Sequence, residues 1–239
     1  MSEIKIEVLY SEYANLFGDL MNIHYLGKCI PQARIIYTGL NDIPAFTKET
    51  VSMIYMGPMT EHQQELVIQA LLPYKEQIQN CIANNTVFLL TGNAMETFEA
   101  YIENENGSRI MGLNLFPTYA KRDMFHRYNS LILGEYQGIT LVGFKAQFSH
   151  SYGDNYHCYF YKVLRGDGLY PGSQLEGLHK NNFFGTYTVG PFLVENPLFT
   201  KHLIKLMGIS NPVLAFESSI MEAYRKRLEE FQNPKLRFH

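Results

Sequence analysis

Tryptophan is absent from this chain of 239 residues, and cysteine occurs only three times. Cys29, Cys81 and Cys158 are far apart and odd in number, which argues against a disulfide framework and favours a reducing compartment. The first residues, Met-Ser-Glu-Ile-Lys-Ile, lack the apolar segment of a signal peptide. No stretch approaches the roughly 18 apolar residues of a membrane helix. We therefore expect a cytoplasmic protein without a membrane span.

Excess charge of either sign is also missing. The formal net charge is −3, so the sequence carries no electrostatic signature of a nucleic-acid partner. Hydrophobic residues make up 46% of the chain and charged residues 18%, which is typical of a folded globular protein. The histidines and cysteines also follow no standard zinc spacing, the best set being His150, His157, Cys158 and His179. We expect neither a metal nor a cofactor.

The first half of the chain alternates between strand and helix patterns. Strands are predicted at 4–10, 33–38, 51–56 and 86–90, with helices at 15–27, 61–84 and 93–102 between and after them. Thr60 is a suitable N-cap for the long helix, and Pro73 should kink or divide it. This alternation predicts a doubly wound, mostly parallel sheet.

The second half has a different character. Short strands separated by glycine-bearing turns are predicted at 130–133, 139–144 and 159–163, and they are typical of antiparallel or edge strands. Two terminal helices follow at 199–207 and 217–231. Because no linker or repeat interrupts the chain, we expect one α/β domain over residues 1–239.

The segment from Phe88 to Glu96 is the strongest functional signal. A buried strand runs into a tight turn and then a helix, an arrangement that presents one side chain at the tip of an α/β sheet. A nucleophile commonly occupies that tip. Here the predicted tip residue is Thr91, which is neither Cys nor Ser.

Function in such sheets collects at the carboxyl ends of parallel strands. Three loops qualify: Tyr10–Asn22, the loop containing Gly57 and Pro58, and the turn at Thr91, Gly92 and Asn93. Glycines there permit close backbone approach, and helix N-termini offer free N–H donors to an anionic or carbonyl-bearing ligand. Plain βα turns would need the same residues, so this alternative stays open.

Two further segments are candidates for a binding pocket. Gly185, Thr186 and Tyr187 precede a Gly-Pro turn late in the chain. Glu96 falls in the first turn of the helix after Thr91, where a carboxylate suits the positive end of the helix dipole. With Thr91 and Asn93 it could instead form a polar pocket that binds an amine or amide without cleaving it.

Four collinear segments resemble the class I glutamine amidotransferase domains of the cobyric acid synthase type, and in particular the small glutaminase subunit of lipid II isoglutaminyl synthase. The matching residues are Leu9-Tyr10 with Asn15-Leu16-Phe17-Gly18-Asp19, Gly112-Leu113-Asn114-Leu115-Phe116-Pro117-Thr118, Gly143-Phe144-Lys145-Ala146-Gln147-Phe148-Ser149, and Glu176-Gly177 through Gly185-Thr186-Tyr187-Thr188-Val189-Gly190-Pro191. The resemblance spans about residues 4 to 207. It implies a three-layer α/β/α sandwich, with a mostly parallel central sheet and added antiparallel or edge strands.

In that family a Cys thiolate attacks the side-chain amide of glutamine and a His handles the proton. The resemblance puts Thr91 at the Cys position and Val189 at the His position. It also implies that the loop with Asp123, His126 and Arg127 shields the site. We therefore expect a degenerate glutaminase subunit that partners a Mur-ligase-like synthetase in amidating a cell-wall precursor or a corrin. An active enzyme with a repurposed site, or a sensor of glutamine or a related small amide, are the alternatives.

Overall fold

The computed structural model describes residues 3–239 and is built around a six-stranded sheet. Five of its strands are parallel, in the spatial order β14-β4-β3-β1-β2, and β13 pairs antiparallel with β14 at one edge. The strands are β1 (Lys5–Leu9), β2 (Arg34–Thr38), β3 (Met53–Met56), β4 (Val87–Thr91), β13 (Leu178–Lys180) and β14 (Phe183–Thr186). The parallel sheet predicted from the first half is confirmed.

Alternate residues of the central strands enter two different cores, as the two-residue period of a strand requires. Val8, Tyr55 and Leu89 belong to one hydrophobic cluster, together with residues of helices α1 (Met21–Cys29), α4 (Phe192–Glu195) and α5 (Pro197–Leu206). Ile54 and Phe88 belong to the other, together with residues of α2 (Glu61–Leu71) and α3 (Lys75–Ala83). A sheet with helices on both faces results, so the predicted fold class is confirmed.

The long helix predicted after residue 60 is divided, as expected at Pro73. A short 3₁₀ segment, Leu72–Tyr74, separates α2 from α3. Thr60 is the N-cap of α2 and forms a capping box with Gln63, which satisfies two otherwise free N–H groups. The last helix is α6 (Glu217–Gln232). None of the described helices is long and apolar enough to cross a membrane.

Strands of the second half build two further sheets instead of only extending the central one. One has the order β10-β7-β5-β6 and the other β12-β11-β8-β9-β15. Their strands are β5 (Tyr101–Glu103), β6 (Arg109–Met111), β7 (Thr118–Arg122), β8 (Tyr128–Tyr136), β9 (Ile139–Gln147), β10 (Ser149–Gly153), β11 (Tyr161–Arg165), β12 (Leu175–Glu176) and β15 (Thr188–Val189).

The helix predicted at 93–102 is shorter than expected. A 3₁₀ helix covers Gly92–Phe98, and the chain then turns into β5. The carbonyls of Thr97 and Phe98 accept hydrogen bonds from the N–H groups of Leu113 and Leu115. Contacts with a distant loop therefore replace the next helical turn, which local periodicity cannot reveal.

Candidate functional site

The strand-to-helix turn lies at Gly92, one residue after the predicted Thr91. Thr91 ends β4 with ordinary extended backbone, at φ −115° and ψ 149°. Gly92 has φ +57°, the left-handed conformation that glycine adopts most readily. A nucleophile elbow places its nucleophile on the strained residue of such a turn. The elbow position is consequently occupied by a residue without a side chain.

Gly92 faces Val189, and Pro58 closes the remaining space. A Cβ built on Gly92 would lie 2.6 Å from the Cβ of Pro58 and 3.2 Å from Cγ1 of Val189. Val189 is itself buried, with 2% of its surface exposed. The elbow and the late strand do converge, but the elbow residue is Gly92 instead of Thr91, and the space beside it is filled by carbon atoms.

The side chain of Thr91 contacts Asp19 and not Val189. Its hydroxyl donates to Oδ2 of Asp19, and the hydroxyl of Tyr55 donates to the same oxygen at 2.6 Å. All three residues are fully buried. Burial raises the pKa of the Asp19 carboxyl, while the hydrogen bonds from Thr91 and Tyr55 oppose the rise. Thr91 therefore fixes the first loop to the end of β4.

Glu96 is also enclosed in an internal network. Its carboxylate accepts hydrogen bonds from Gln64 Nε2 at 2.8 Å, from the Tyr187 hydroxyl at 2.8 Å and from the Ser149 hydroxyl. Burial raises the pKa of this carboxyl, and the three donors oppose that rise. Glu96, which is 1% exposed, thus lies behind the surface.

Asn93 joins the turn to the loop after β3. Its Nδ2 donates to the carbonyl of Met59 at 2.8 Å, and its Oδ1 accepts from the Met59 N–H at 3.0 Å. Gln64 Nε2 links Asn93 to Glu96, since it donates to the Asn93 carbonyl at 2.7 Å as well as to the Glu96 carboxylate. Thr91 bonds to Asp19 instead, so the three side chains do not share one polar pocket.

The other predicted pocket residues are closely packed. A Cβ on Gly57 would lie 2.6 Å from the Ala14 carbonyl oxygen, and one on Gly185 would lie 2.8 Å from Cγ of Met95. Thr186 donates its hydroxyl to Glu176 at 3.0 Å. Tyr187 belongs to the network around Glu96. These positions are buried and bring backbone segments together.

A cavity of about 290 Å³ lies beside the elbow. Of the predicted pocket residues, Pro58 and Asn93 line it. The remaining lining residues are Leu16, Phe17, Met59, Thr60, Glu61, Arg127, Ala146, Gln147, Phe148 and Ser149. In the described part of the chain, this lining includes neither a cysteine nor a histidine.

Arg127 is the cation of this cavity. Its guanidinium carbon lies 5.6 Å from the ring centre of Phe17 and 5.7 Å from that of Phe148, within the range of a cation–π contact. The loop containing Asp123, His126 and Arg127 was expected to shield the site, and Arg127 does line the cavity. Phe17 and Phe148 were not identified as site residues, because their meeting depends on loops far apart in sequence.

The segment from Gly143 to Ser149 contributes a buried ion pair near the site. Nζ of Lys145 lies 3.3 Å from Oε2 of Glu176, and both side chains are fully buried. Lys145 also donates to the carbonyls of Asp167, at 3.0 Å, and Gly168. These bonds satisfy the buried charge and fix the loop at 166–168.

The three thiols are poor nucleophiles as well. Burial raises the pKa of Cys29, of Cys81 and of Cys158, the last to about 11. Each is therefore protonated near neutral pH, whereas a nucleophilic cysteine needs a thiolate.

Comparison with known proteins agrees with the fold. A solved crystal structure of a glutamine amidotransferase superimposes with a TM-score of 0.52 at 11% identity, covering 85% of this chain and 99% of that one. This likeness shows that the fold is similar to that of a glutamine amidotransferase.

The relatives are subunits of one enzyme. The chain is 25% identical over 231 residues to the lipid II isoglutaminyl synthase (glutamine-hydrolyzing) subunit GatD of Streptococcus pneumoniae, covering 92% of this chain and 88% of that protein. It is 24% identical over 214 residues to the subunit of the same name from Staphylococcus aureus, covering 86% and 84%. No protein-family model matches the chain.

Proposed function

We propose that this protein is a non-hydrolysing amidotransferase-like subunit that assembles with a Mur-ligase-like synthetase. The observation that carries the proposal is the packing at Gly92. Amide hydrolysis through a covalent intermediate needs a nucleophile and an adjacent base. Gly92 supplies no nucleophile, and the hydrocarbon side chain of Val189 cannot accept a proton.

The likeness to GatD subunits supports the assembly role. Those relatives are subunits of a glutamine-hydrolyzing lipid II isoglutaminyl synthase. The resemblance extends over most of the chain, although Gly92 and Val189 supply neither a nucleophile nor a base. The fold that could contact a partner is therefore retained without the catalytic residues. We infer that the partner synthetase amidates a cell-wall precursor or a corrin, and that it takes its nitrogen from ammonia.

A hydrolytic alternative would have to use Ser149 and Glu96, which form a hydrogen-bonded hydroxyl–carboxylate pair beside the cavity. For Glu96 to act as a base it would have to accept the Ser149 proton while Gln64 and Tyr187 also donate to it. Burial raises the pKa of Glu96, and these donors oppose the rise, so they weaken the carboxylate as a base relative to a buried carboxylate without them. The assembly role therefore fits the geometry better.

The test is co-expression with the Mur-ligase-like synthetase of the same organism, followed by two assays on the purified complex. We expect a stable complex that releases no glutamate from glutamine but forms the amidated product from ammonium. The Streptococcus pneumoniae subunit serves as the positive control for hydrolysis. The proposal fails if no complex forms, or if glutamate is released.

A restored elbow gives a second test. The double variant Gly92→Cys/Val189→His reintroduces a thiol and an imidazole. We expect it to remain inactive towards glutamine, because Pro58 occupies the space that the Cys side chain needs. The variant Ser149→Ala addresses the hydrolytic alternative, which predicts a loss of any activity measured for the wild type.

A further inference from the structure

We propose that the cavity beside the elbow binds a free α-amino acid with an apolar side chain. The carboxylate of this ligand pairs with Arg127, its ammonium group pairs with Glu61, and its side chain lies against the apolar walls. Glutamine is a poor ligand for the same cavity, because its side-chain amide finds no free polar side chain there. The proposal does not depend on the proposed function, since it concerns the isolated chain and requires no synthetase.

Arg127 and Glu61 are two free charges of opposite sign on one cavity. Both residues line it, and neither forms an ion pair with another residue in the described range 3–239. They therefore do not pair with each other either. A ligand that carries both charges is complementary to this lining, and a free α-amino acid is such a zwitterion at neutral pH. A ligand with a single charge would leave one of the two residues unpaired.

Aromatic rings hold the guanidinium of Arg127 and leave its hydrogen-bond donors available. Its central carbon lies 5.6 Å from the ring centre of Phe17 and 5.7 Å from that of Phe148. A cation–π contact is an attraction to the face of a ring and does not consume an N–H donor. The planar fork of a guanidinium binds a carboxylate through two parallel hydrogen bonds. We therefore place the carboxylate of the ligand at Arg127.

The neutral polar side chains of the cavity wall already have partners inside the protein. Each donates a hydrogen bond to another described residue, and the four are Thr60, Asn93, Gln147 and Ser149. Oε1 of Gln147 has no partner among the described residues, but this atom is buried out of reach of a water-sized molecule. A glutamine side chain entering the cavity would lose its hydrogen bonds to water and gain none from these side chains, which is costly. An apolar side chain avoids that cost.

The walls and the volume of the cavity fit an apolar side chain of moderate size. Its volume is about 290 Å³. An engineered apolar cavity of about 150 Å³ accepts benzene, so there is room here for the smaller side chain of leucine and for its charged head group. Burial of that side chain against the walls favours binding. The apolar residues of the lining are Leu16, Phe17, Pro58, Met59, Ala146 and Phe148.

Isothermal titration calorimetry of the purified full chain with leucine tests the proposal. We expect one leucine to bind per chain, with a dissociation constant below about 1 mM. Three further ligands separate the contributions: 4-methylpentanoate lacks the ammonium group, 3-methylbutylamine lacks the carboxylate, and glutamine carries an amide in place of the apolar group. Each should bind at least about tenfold more weakly than leucine, because each loses a charged hydrogen bond or a buried apolar contact.

Substitutions of the two charged residues locate the ligand. Arg127→Gln and Glu61→Gln should each weaken leucine binding at least about tenfold. The matched controls are Arg225→Gln and Glu76→Gln, which remove exposed charges outside the cavity lining and should leave the affinity for leucine unchanged. Circular dichroism of each variant checks that the fold is kept.

Three results would overturn the proposal. The first is the absence of leucine binding up to about 10 mM. The second is glutamine binding as tightly as leucine, and the third is either cavity variant binding leucine as the wild type does. A chain that binds leucine but forms no complex with the synthetase would refute only the proposed function.

Discussion

The hydroxyl of Thr91 donates a hydrogen bond to the carboxylate of Asp19, although the two residues are 72 positions apart in sequence. Tyr55 donates to the same carboxylate oxygen from β3. The ends of β3 and β4 and the loop after β1 are therefore held together by one buried carboxyl group. In this protein the end of β4 carries a structural hydrogen bond beside an elbow that lacks a nucleophile.

Removing that donor should destabilise the fold. Thr91→Val keeps the shape but leaves Asp19 with one donor fewer, and we expect a loss of about 1–3 kcal/mol in the free energy of unfolding. Thr91→Ser keeps the hydroxyl and removes one methyl group, at a cost of about 1 kcal/mol. Urea denaturation measures both. If the Ser variant were as unstable as the Val variant, the hydrogen bond would not be the stabilising element.

Gly92→Ala tests the packing of the elbow. Alanine at this position must hold the left-handed backbone conformation, which costs about 1–2 kcal/mol of stability. Its Cβ must also displace Pro58, and such overpacking costs about 1–3 kcal/mol more. Gly107→Ala is the matched control, because Gly107 has φ +80° and nothing within 4 Å of its Cβ position. It should show the backbone cost alone. Equal losses in thermal or urea unfolding would mean that Pro58 and Val189 yield freely.

Because Lys145 and Glu176 form a buried ion pair, substitutions of the two residues should not have additive effects on stability. Lys145→Met leaves Glu176 charged and without its cation, and we expect a loss of about 3–5 kcal/mol. Lys145→Met/Glu176→Gln removes both charges and should recover part of this loss. Lys121→Met, which breaks an exposed pair with Glu103, should cost at most about 1 kcal/mol. Urea unfolding curves are measured for the wild type, for these three variants and for Glu176→Gln alone. Losses of the two single variants that simply add up in the double variant would contradict the coupling.

Glu99 should make stability depend on pH. Burial, followed by the nearby Glu96 charge, raises the pKa of this fully buried carboxyl well above its ordinary 4.5. Between these two pKa values the folded chain keeps a proton that the unfolded chain releases, so this group's contribution to stability falls as pH rises. Glu99→Gln should therefore lose less stability than the wild type between about pH 5 and pH 8.

Glu103 provides the opposite control for that measurement. Hydrogen bonds and charges from Lys121 and Arg109 lower the pKa of its carboxyl. Its contribution is therefore present above its ordinary pKa and is lost as pH falls through the lowered value. Glu103→Gln should leave the slope between about pH 5 and pH 8 unchanged. An unchanged slope in Glu99→Gln would show that Glu99 ionises normally in the fold.

Much of the fold follows from local pattern. Strand alternation, the N-cap at Thr60 and the break at Pro73 are properties of neighbouring residues, and the structure has them where the sequence predicted. The turn after β4 was found for the same reason, since an apolar run followed by Gly92 signals a strand end. The strand pattern and the family resemblance predict Thr91 at the tip, whereas the backbone dihedral angles place the left-handed residue of the turn at Gly92, which no pattern of residue types reveals.

What the sequence alone determined is the alternation of strands and helices that predicts a parallel sheet, the amidotransferase resemblance, and the absence of a cysteine from the elbow, whether Thr91 or Gly92 occupies it. Only the tertiary structure shows that Thr91 donates a hydrogen bond to Asp19 and that the buried Glu96 accepts one from Ser149. It also shows that Phe17 and Arg127 line the same cavity. Those contacts join residues from separate loops and strands. Side chains distant in sequence meet only after the sheets have packed, and no local periodicity records which of them will do so.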